Sequence, residues 1–387
     1  MKDFTYHCPT EVIFGLDAEL KTAEAAVRHG GSRLLVVYGG GSAVKSGLLD
    51  RLCRSFQEAG LVFRLLGGVR PNPRLGFVRE GIETAVDMEA DMVIGVGGGS
   101  VIDTAKAIAH GAANPGCDLW DFWLLKTPLT KSLPVGAVVT IPAAGSEMSD
   151  SAVITNEETC EKRGLSSQLN RPAFAVLNPA LASTLPAYQV ACGVTDTLMH
   201  TLDRYFTSVT GNDLTDEIAE GLMRTVIRNG GRAVKNPADY DAMSEIMWSA
   251  AVSHNGLTGL GGAKDFACHQ LGHAVSALYD KAHGATLSAL WESWSRYVLP
   301  INPDRFRRYA KNVWGVEGAE AGIGATVSFF REIGMPCCFS QLGIGVLPDE
   351  ALNRLADTCT YGKTRTIGNF MVLDYDDIRR IYASANR

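Results

Sequence analysis

The chain has 387 residues, 46% of them hydrophobic and 20% charged, and a formal net charge of -6. That length calls for two domains or one large one, with enough apolar residue to bury a core without disulfide staples. The mild acidity, with no lysine/arginine run and no acidic tail, argues against a nucleic-acid binder, which would carry a basic face. Glycine is the unusual number, 41 against 15 prolines. Without a repeating period this is not collagen, and the apolar content is not that of a disordered chain, so the glycines have local roles.

The opening residues, Met1 to Gly15, lack a basic stretch followed by an apolar one, so no secretory signal is expected. No run approaches ~18 uninterrupted apolar residues, so no membrane span is expected either. The nine cysteines form no C-x-x-C pair and are read as free thiols of a cytoplasmic protein.

In chain order, residues 33–39 form a short apolar strand closing in Gly39, Gly40 and Gly41. Ser42 stands where an N-cap would open a helix running to residue 59. A strand at 61–67 and a helical period over 75–90 follow, with Phe77, Ile82 and Val86 on a common face. The strand at 91–96 leads into Gly97, Gly98, Gly99 and Ser100, which open a helix at 101–112. Further strands are expected at 135–141, 152–155 and 173–179. Strands alternating with helices imply a parallel sheet that takes its ligand at the strand C-terminal ends. Beyond Pro186 the period becomes helical, with helices expected at 188–208, 214–229, 240–255, 263–279 and 285–299. The boundary therefore divides an α/β domain, 1–186, from an all-helical domain, 187–387.

Both glycine clusters sit between a strand and a helix, where bare backbone and a helix N-terminus can hold a pyrophosphate. Neither completes G-x-G-x-x-G, because Ser100 takes the place of the third glycine after Gly95 and Gly97. Tight turns in an α/β sheet would explain each cluster alone; two on successive strand ends favour a nucleotide.

The second constellation is metal-like. Asp196 and His200 are four residues apart on one expected helix, and His269 and His273 repeat the spacing on another, with His283 just beyond. Such pairs project from one helix face and suit divalent zinc or iron. Spacing alone does not say which four of the five bind. Gln270 replaces the glutamate of H-E-x-x-H, which argues against a zinc protease. His7, His29, His110 and His254 have no such companions and are read as surface or packing histidines.

Four segments together carry a resemblance. Gly97-Gly-Gly-Ser-x-x-Asp103-x-x-Lys106, Thr140-x-Pro142-x-x-Gly145-Ser-Glu147, Gly193-x-x-Asp196-x-x-x-His200 and Phe266-Ala-x-His269-x-x-Gly-His273-x(9)-His283-Gly284 resemble the iron-containing alcohol dehydrogenase family, in family order and across the chain. The Val37–Gly47 stretch and the Asn72 loop, Arg70-Pro-Asn-Pro73, are most similar to its NADPH-dependent butanol dehydrogenase/aldehyde reductase branch. The implied fold is a Rossmann-like dinucleotide-binding α/β domain followed by an all-α metal-binding domain, as in the dehydroquinate synthase-like folds.

The resemblance implies one divalent metal, Fe2+ or Zn2+, on Asp196, His200, His269 and His283, with His273 beside nicotinamide and substrate. It places Gly97, Gly98, Gly99, Ser100 and Asp103 at the pyrophosphate, and Thr140 and Ser146 on the nicotinamide side. Gly39, Gly40 and Ser42 fall at the adenosine end, with Asn72 near by. Many NAD-preferring relatives have an acidic residue where Gly39 stands here, so the site has room for a 2′-phosphate. Lys162 matches a position that reaches that phosphate; an exposed loop lysine beside Glu161 is the other reading. NADP(H) is therefore favoured over NAD(H).

The implied reaction is hydride transfer between a nicotinamide and a primary alcohol or aldehyde of the butanol type. A NAD-using polyol dehydrogenase and a dehydroquinate synthase-like lyase share the architecture, and a non-catalytic nucleotide-binding protein is a third reading. No nucleic-acid or membrane partner is expected; the family suggests a homodimer formed partly through residues 4–14. One departure concerns the helix after Gly284, where Trp291 and Trp294 add bulk and leave the substrate-pocket shape open.

Overall fold

The computed structural model describes residues 1–387. Its strands are β1 (Glu11–Phe14), β2 (Arg33–Tyr38), β3 (Val62–Gly67), β4 (Met92–Gly97), β5 (Val135–Val139), β6 (Ser151–Asn156), β7 (Glu161–Ser166) and β8 (Phe174–Leu177). Six of them form one sheet in the order β1-β8-β5-β4-β2-β3, every pair parallel, and β6 and β7 form an antiparallel hairpin. The apolar runs are unbroken because both faces of the sheet are covered. Leu34 and Val36 of β2 join Met92, Ile94 and Val96 of β4 in one core, while Leu35, Val37 and Val93 point into the other.

Helices α1 (Thr22–Arg28), α2 (Ser42–Lys45), α3 (Leu48–Glu58), α4 (Leu75–Asp87), α5 (Gly99–Ala113) and α6 (Leu119–Trp123) accompany this sheet. Leu48, Leu52 and Phe56 of α3 fill one core, and Val78, Ala105 and Ile108 of α4 and α5 the other. The chain goes from β2 out to β3 and returns as β4 on the far side of β2. Strand order thus reverses between β2 and β4, the position at which open α/β sheets take ligands.

The single helix expected over 42–59 is two helices. Gly47 takes φ +69° between α2 and α3, a left-handed conformation that interrupts the helical path. Ser42 is the first residue of α2 and makes no capping hydrogen bond.

The chain divides into two compact units, His7–Thr184 and a second made of Leu185–Arg387 with Met1–Tyr6. The first six residues thus go with the helical part, not with the α/β part to which the sequence boundary assigned them. The N-terminal amine donates to the Thr210 carbonyl at 2.6 Å, and Lys2 N donates to Gly261 O at 2.8 Å.

The second unit holds α7 (Ala187–Tyr205), α8 (Asp213–Lys235), α9 (Tyr240–His254), α10 (Ala267–Tyr279), α11 (His283–Val298), α12 (Pro303–Tyr309), α13 (Ala319–Glu332), α14 (Asp349–Cys359) and α15 (Tyr375–Ala385). Helix α7 is packed by α8, α9, α10 and α11 and is buried all round from Val190 to Tyr205, with Cys192 half-buried. Trp291 and Trp294 are fully buried, each with its ring 5.7 Å from that of Phe206, so they build the core of this unit. No helix is long and apolar enough to cross a membrane.

His110, on α5, is fully buried, with its ring nitrogens 2.8 Å from Ser132 Oγ and Asn170 Oδ1. Burial pushes its pKa down to about 4, against an unfolded value near 6.5. The folded state therefore holds neutral imidazole, and its stability contribution is intact above pH ~6.5 and lost as pH falls toward ~4. The expected loss across that window is about 3 kcal/mol. Urea unfolding between pH 7 and pH 4 should show a shallower pH slope for His110→Gln than for the parent. Equal slopes would contradict the assignment.

Candidate metal centre and dinucleotide surface

Asp196, His200, Asp203 and Arg204 are polar or charged, yet lie on the buried helix α7. Such groups need partners in a low-dielectric interior, which marks this helix as the bearer of a site. The Asp196, His200 and His269 ligand atoms all lie within 4.8 Å of one another, and all three residues are buried. His269 comes from α10, and His283, the first residue of α11, has Nε2 3.8 Å from Asp196 Oδ1. His273, one turn along α10 from His269, has its ring 5.1 Å from that of His283 and 6.4 Å from that of His269.

Asp196 Oδ1 and His269 Nε2 are buried without a hydrogen-bond partner, and they face each other at 3.7 Å. A buried carboxylate oxygen and a buried ring nitrogen left unpaired are costly, and a divalent cation would satisfy both. One carboxylate and three imidazoles are a donor set that zinc and iron accept, so these residues fit the implied metal.

The ring nitrogens not facing the cluster are committed elsewhere. His200 Nδ1 donates to the Asp196 carbonyl at 2.9 Å, leaving Nε2 as the atom it can offer a metal. His269 Nδ1 lies 2.5 Å from Asp203 Oδ2, a carboxylate–histidine pair that fixes the tautomer and aims Nε2 inward. Burial opposes ionisation of Asp196, but the charges of the facing His200 and His283 rings outweigh it and hold the carboxyl well below the usual carboxylate range. Burial pulls His200 down. Burial would pull His269 down too, but the carboxylates of Asp203 and Asp196 more than compensate and its pKa is raised.

Gly284 sets the approach of α11 to α7. A Cβ there would stand 2.2 Å from the Cys192 carbonyl oxygen, a contact that backbone cannot yield cheaply. Only glycine lets the start of α11, with His283, come in beside Asp196.

The glycine turns of the α/β unit meet at the β2/β4 switch point. The same Val101 methyl stands 3.5 Å from a Cβ position on Gly39 and 2.5 Å from one on Gly97. Gly98 and Gly99 are held as closely by Ile141 and Ala144, at 3.0 and 2.9 Å, so this turn has no room for side chains. Gly40 has nothing within 4 Å, and Gly40, Gly41 and Ser42 are exposed. No side chain caps α5 at Gly98, which leaves its N-terminal dipole available to a phosphate. The turn is tied to the next strand by Thr140 N donating to Gly97 O at 3.0 Å.

Ser146 Oγ donates to Asp103 Oδ1 at 2.5 Å, and Asp103 Oδ2 accepts from Val153 N at 2.9 Å. Lys106, fully buried, donates to Ser146 Oγ and Ser151 O, both at 2.8 Å, locking this wall from behind. Burial lowers its pKa to about 8, and burial likewise lifts Glu147 to about 7. Lys162 is no exposed loop residue. It sits on β7, 7% exposed, and its ammonium donates to Asn72 Oδ1 at 2.9 Å across 90 residues of sequence.

Sequence reasoning missed Asp203 and His254. Asp203 stands three residues after His200, so the helical face carried a signal, but its partner His269 is 66 residues away. His254, read as a surface or packing histidine, has its ring 4.1 Å from that of His200; nothing in its local sequence announces this.

Comparison with known proteins agrees with this geometry. Residues 9–179 match the iron-containing alcohol dehydrogenase family, and residues 190–386 match the C-terminal part of the Fe-containing alcohol dehydrogenase family. The chain is 37% identical to NADH-dependent butanol dehydrogenase A of Clostridium acetobutylicum, covering 99% of both. It is 34% identical to the NADPH-dependent aldehyde reductase YqhD of Escherichia coli over the full length of both. The solved structure of NADH-dependent butanol dehydrogenase A from Thermotoga maritima superposes with a TM-score of 0.96 at 36% identity, covering 100% of this chain and 99% of that one. Fold and relatives define a nicotinamide-using oxidoreductase. The chain belongs to the iron-containing alcohol dehydrogenase family. The lyase and polyol dehydrogenase readings are not favoured by these relatives.

Proposed function

We propose that the protein is a metal-dependent reductase of primary aldehydes, and oxidant of the matching alcohols, that uses NADP(H) in preference to NAD(H). The observation that carries this reading is the pair of buried, unpartnered atoms Asp196 Oδ1 and His269 Nε2 beside His200 and His283. Asp196, His200, His269 and His283 would hold one Fe2+ or Zn2+, which when bound supplies Lewis acidity at the substrate oxygen. Asp203 keeps His269 aimed, and His273 would hold or pass the proton of the substrate hydroxyl.

In the α/β unit, Gly97, Gly98, Gly99, Ser100 and Asp103 would receive the pyrophosphate, Thr140 and Ser146 the nicotinamide side, and Gly39, Gly40 and Ser42 the adenosine. The relatives carry both NADH and NADPH in their names. Two features of this chain favour the phosphorylated cofactor: no carboxylate at Gly39, and the Lys162 ammonium held by Asn72.

We further infer a homodimer, because β1 is an edge strand that ends in Phe14, with Leu16 just beyond it, and these are 43% and 66% exposed. The cytoplasm fits nine free thiols. Steady-state oxidation of NADPH with butanal and a panel of other aldehydes tests the activity. No turnover with any aldehyde, in protein with its metal bound, would sink the reading.

A further inference from the structure

His254 is the last residue of α9, and its ring lies against the ring of His200 at 4.1 Å between centroids and 36° between planes. Phe266 closes the group, 6.4 Å from both rings and 5.3 Å from His269. The four rings thus come from three separate places in the chain: α7, the end of α9, and the start of α10.

His200 needs such a wall. Its Nδ1 bonds the Asp196 carbonyl at 2.9 Å and lies 3.1 Å from Asp196 Oδ1, both one turn back on its own helix, so these contacts restrain the ring at that one nitrogen. The remaining freedom is rotation of the imidazole about that nitrogen, which would swing Nε2 away from Asp196 and His269. A flat ring packed on the face of His200 blocks that rotation sterically, whereas the Asp203 carboxylate does the equivalent for His269 through a hydrogen bond.

The end of α9 is itself held in place. Asn255 Oδ1 accepts from Leu257 N at 2.9 Å, and Gly256 turns the chain with φ +102° directly after the helix. Arg204, one turn after His200, donates to the His200 carbonyl at 2.7 Å and lies over the Phe266 ring at 4.7 Å. These contacts make the base from which the His254 ring reaches His200 firm.

We propose that His254 is a positioning residue for the metal centre, holding the His200 imidazole in its binding orientation by ring packing. This rests on the reading that His200 binds the metal. His254 acts through its flat ring, so an aromatic replacement preserves its role and a small one does not. Outer partners that orient a metal ligand affect metal affinity by about 10- to 100-fold, and the same scale is expected of a ring that does so by packing.

The test is Co2+ binding to metal-free full-length protein, measured by competition with a chromophoric chelator and by the visible spectrum of bound Co2+. His254→Ala should weaken Co2+ binding about tenfold or more and alter the spectrum. Thermal unfolding of its metal-free form should stay near that of the parent. His254→Phe should restore both affinity and spectrum. Unchanged affinity in His254→Ala overturns the proposal, as does an equal loss in His254→Phe. A parent that binds no Co2+ overturns the four-residue metal reading and this proposal with it; a parent that binds isolates the outcome to His254.

Discussion

His269→Ala is expected to lose its bound metal and to lower kcat/KM by about a thousandfold or more, on the scale of removing the main electrostatic stabiliser of a developing oxyanion. The reason lies in how His269 is held. Its Nδ1 is taken by Asp203 at 2.5 Å, and its Nε2 is buried opposite Asp196 Oδ1 at 3.7 Å. Alanine removes one donor from the set and at the same time strands the Asp203 carboxylate, which is fully buried. Stranding a buried charge costs stability as well, so metal content should be compared with the unfolding midpoint of each protein. Asp203→Asn separates the two effects, since it retains all four proposed ligands and loses only the negative charge behind His269. Its metal affinity should fall about 10- to 100-fold. Full metal content and activity in His269→Ala would show that the ligand set is wrong.

The second large effect concerns the cofactor. Lys162→Ala should raise KM for NADPH about 10- to 100-fold while leaving KM for NADH close to the parent value, as expected for loss of a charge-assisted hydrogen bond of about 1.5–3 kcal/mol. The lysine is poised for this, because β7 brings it inward and Asn72 accepts one of its protons at 2.9 Å. NADH serves as the internal control: a general loss of structure would damage both cofactors alike. A cofactor preference that Lys162→Ala leaves unchanged would contradict the role given to this residue.

Much of the fold is legible in the sequence where burial is two-sided. Strands β2, β4 and β5 read as unbroken apolar runs because helices cover both faces of the sheet. Strand β1 is only four residues at an edge, and β7 reads Glu-Lys-Arg-Gly-Leu-Ser, where two charged neighbours mask the inward turn of Lys162 and Leu165. Local propensity alone also ran one helix over 42–59, which the left-handed Gly47 cuts in two. The Asp196/His200 and His269/His273 pairs were visible because helical spacing puts each on one face. The packing of His254 on His200 and the bond from His269 to Asp203 were not, because both depend on which helices meet. No period within one segment encodes that.

The central claim is that hydride chemistry here depends on a metal held by Asp196, His200, His269 and His283. Its most direct test is NADPH-dependent reduction of butanal in one protein sample, with elemental analysis before chelation, after it, and after return of Fe2+ or Zn2+. Activity should disappear with the metal and come back as metal returns to about one ion per chain. Turnover that persists at the parent rate after elemental analysis finds the metal gone would contradict the account.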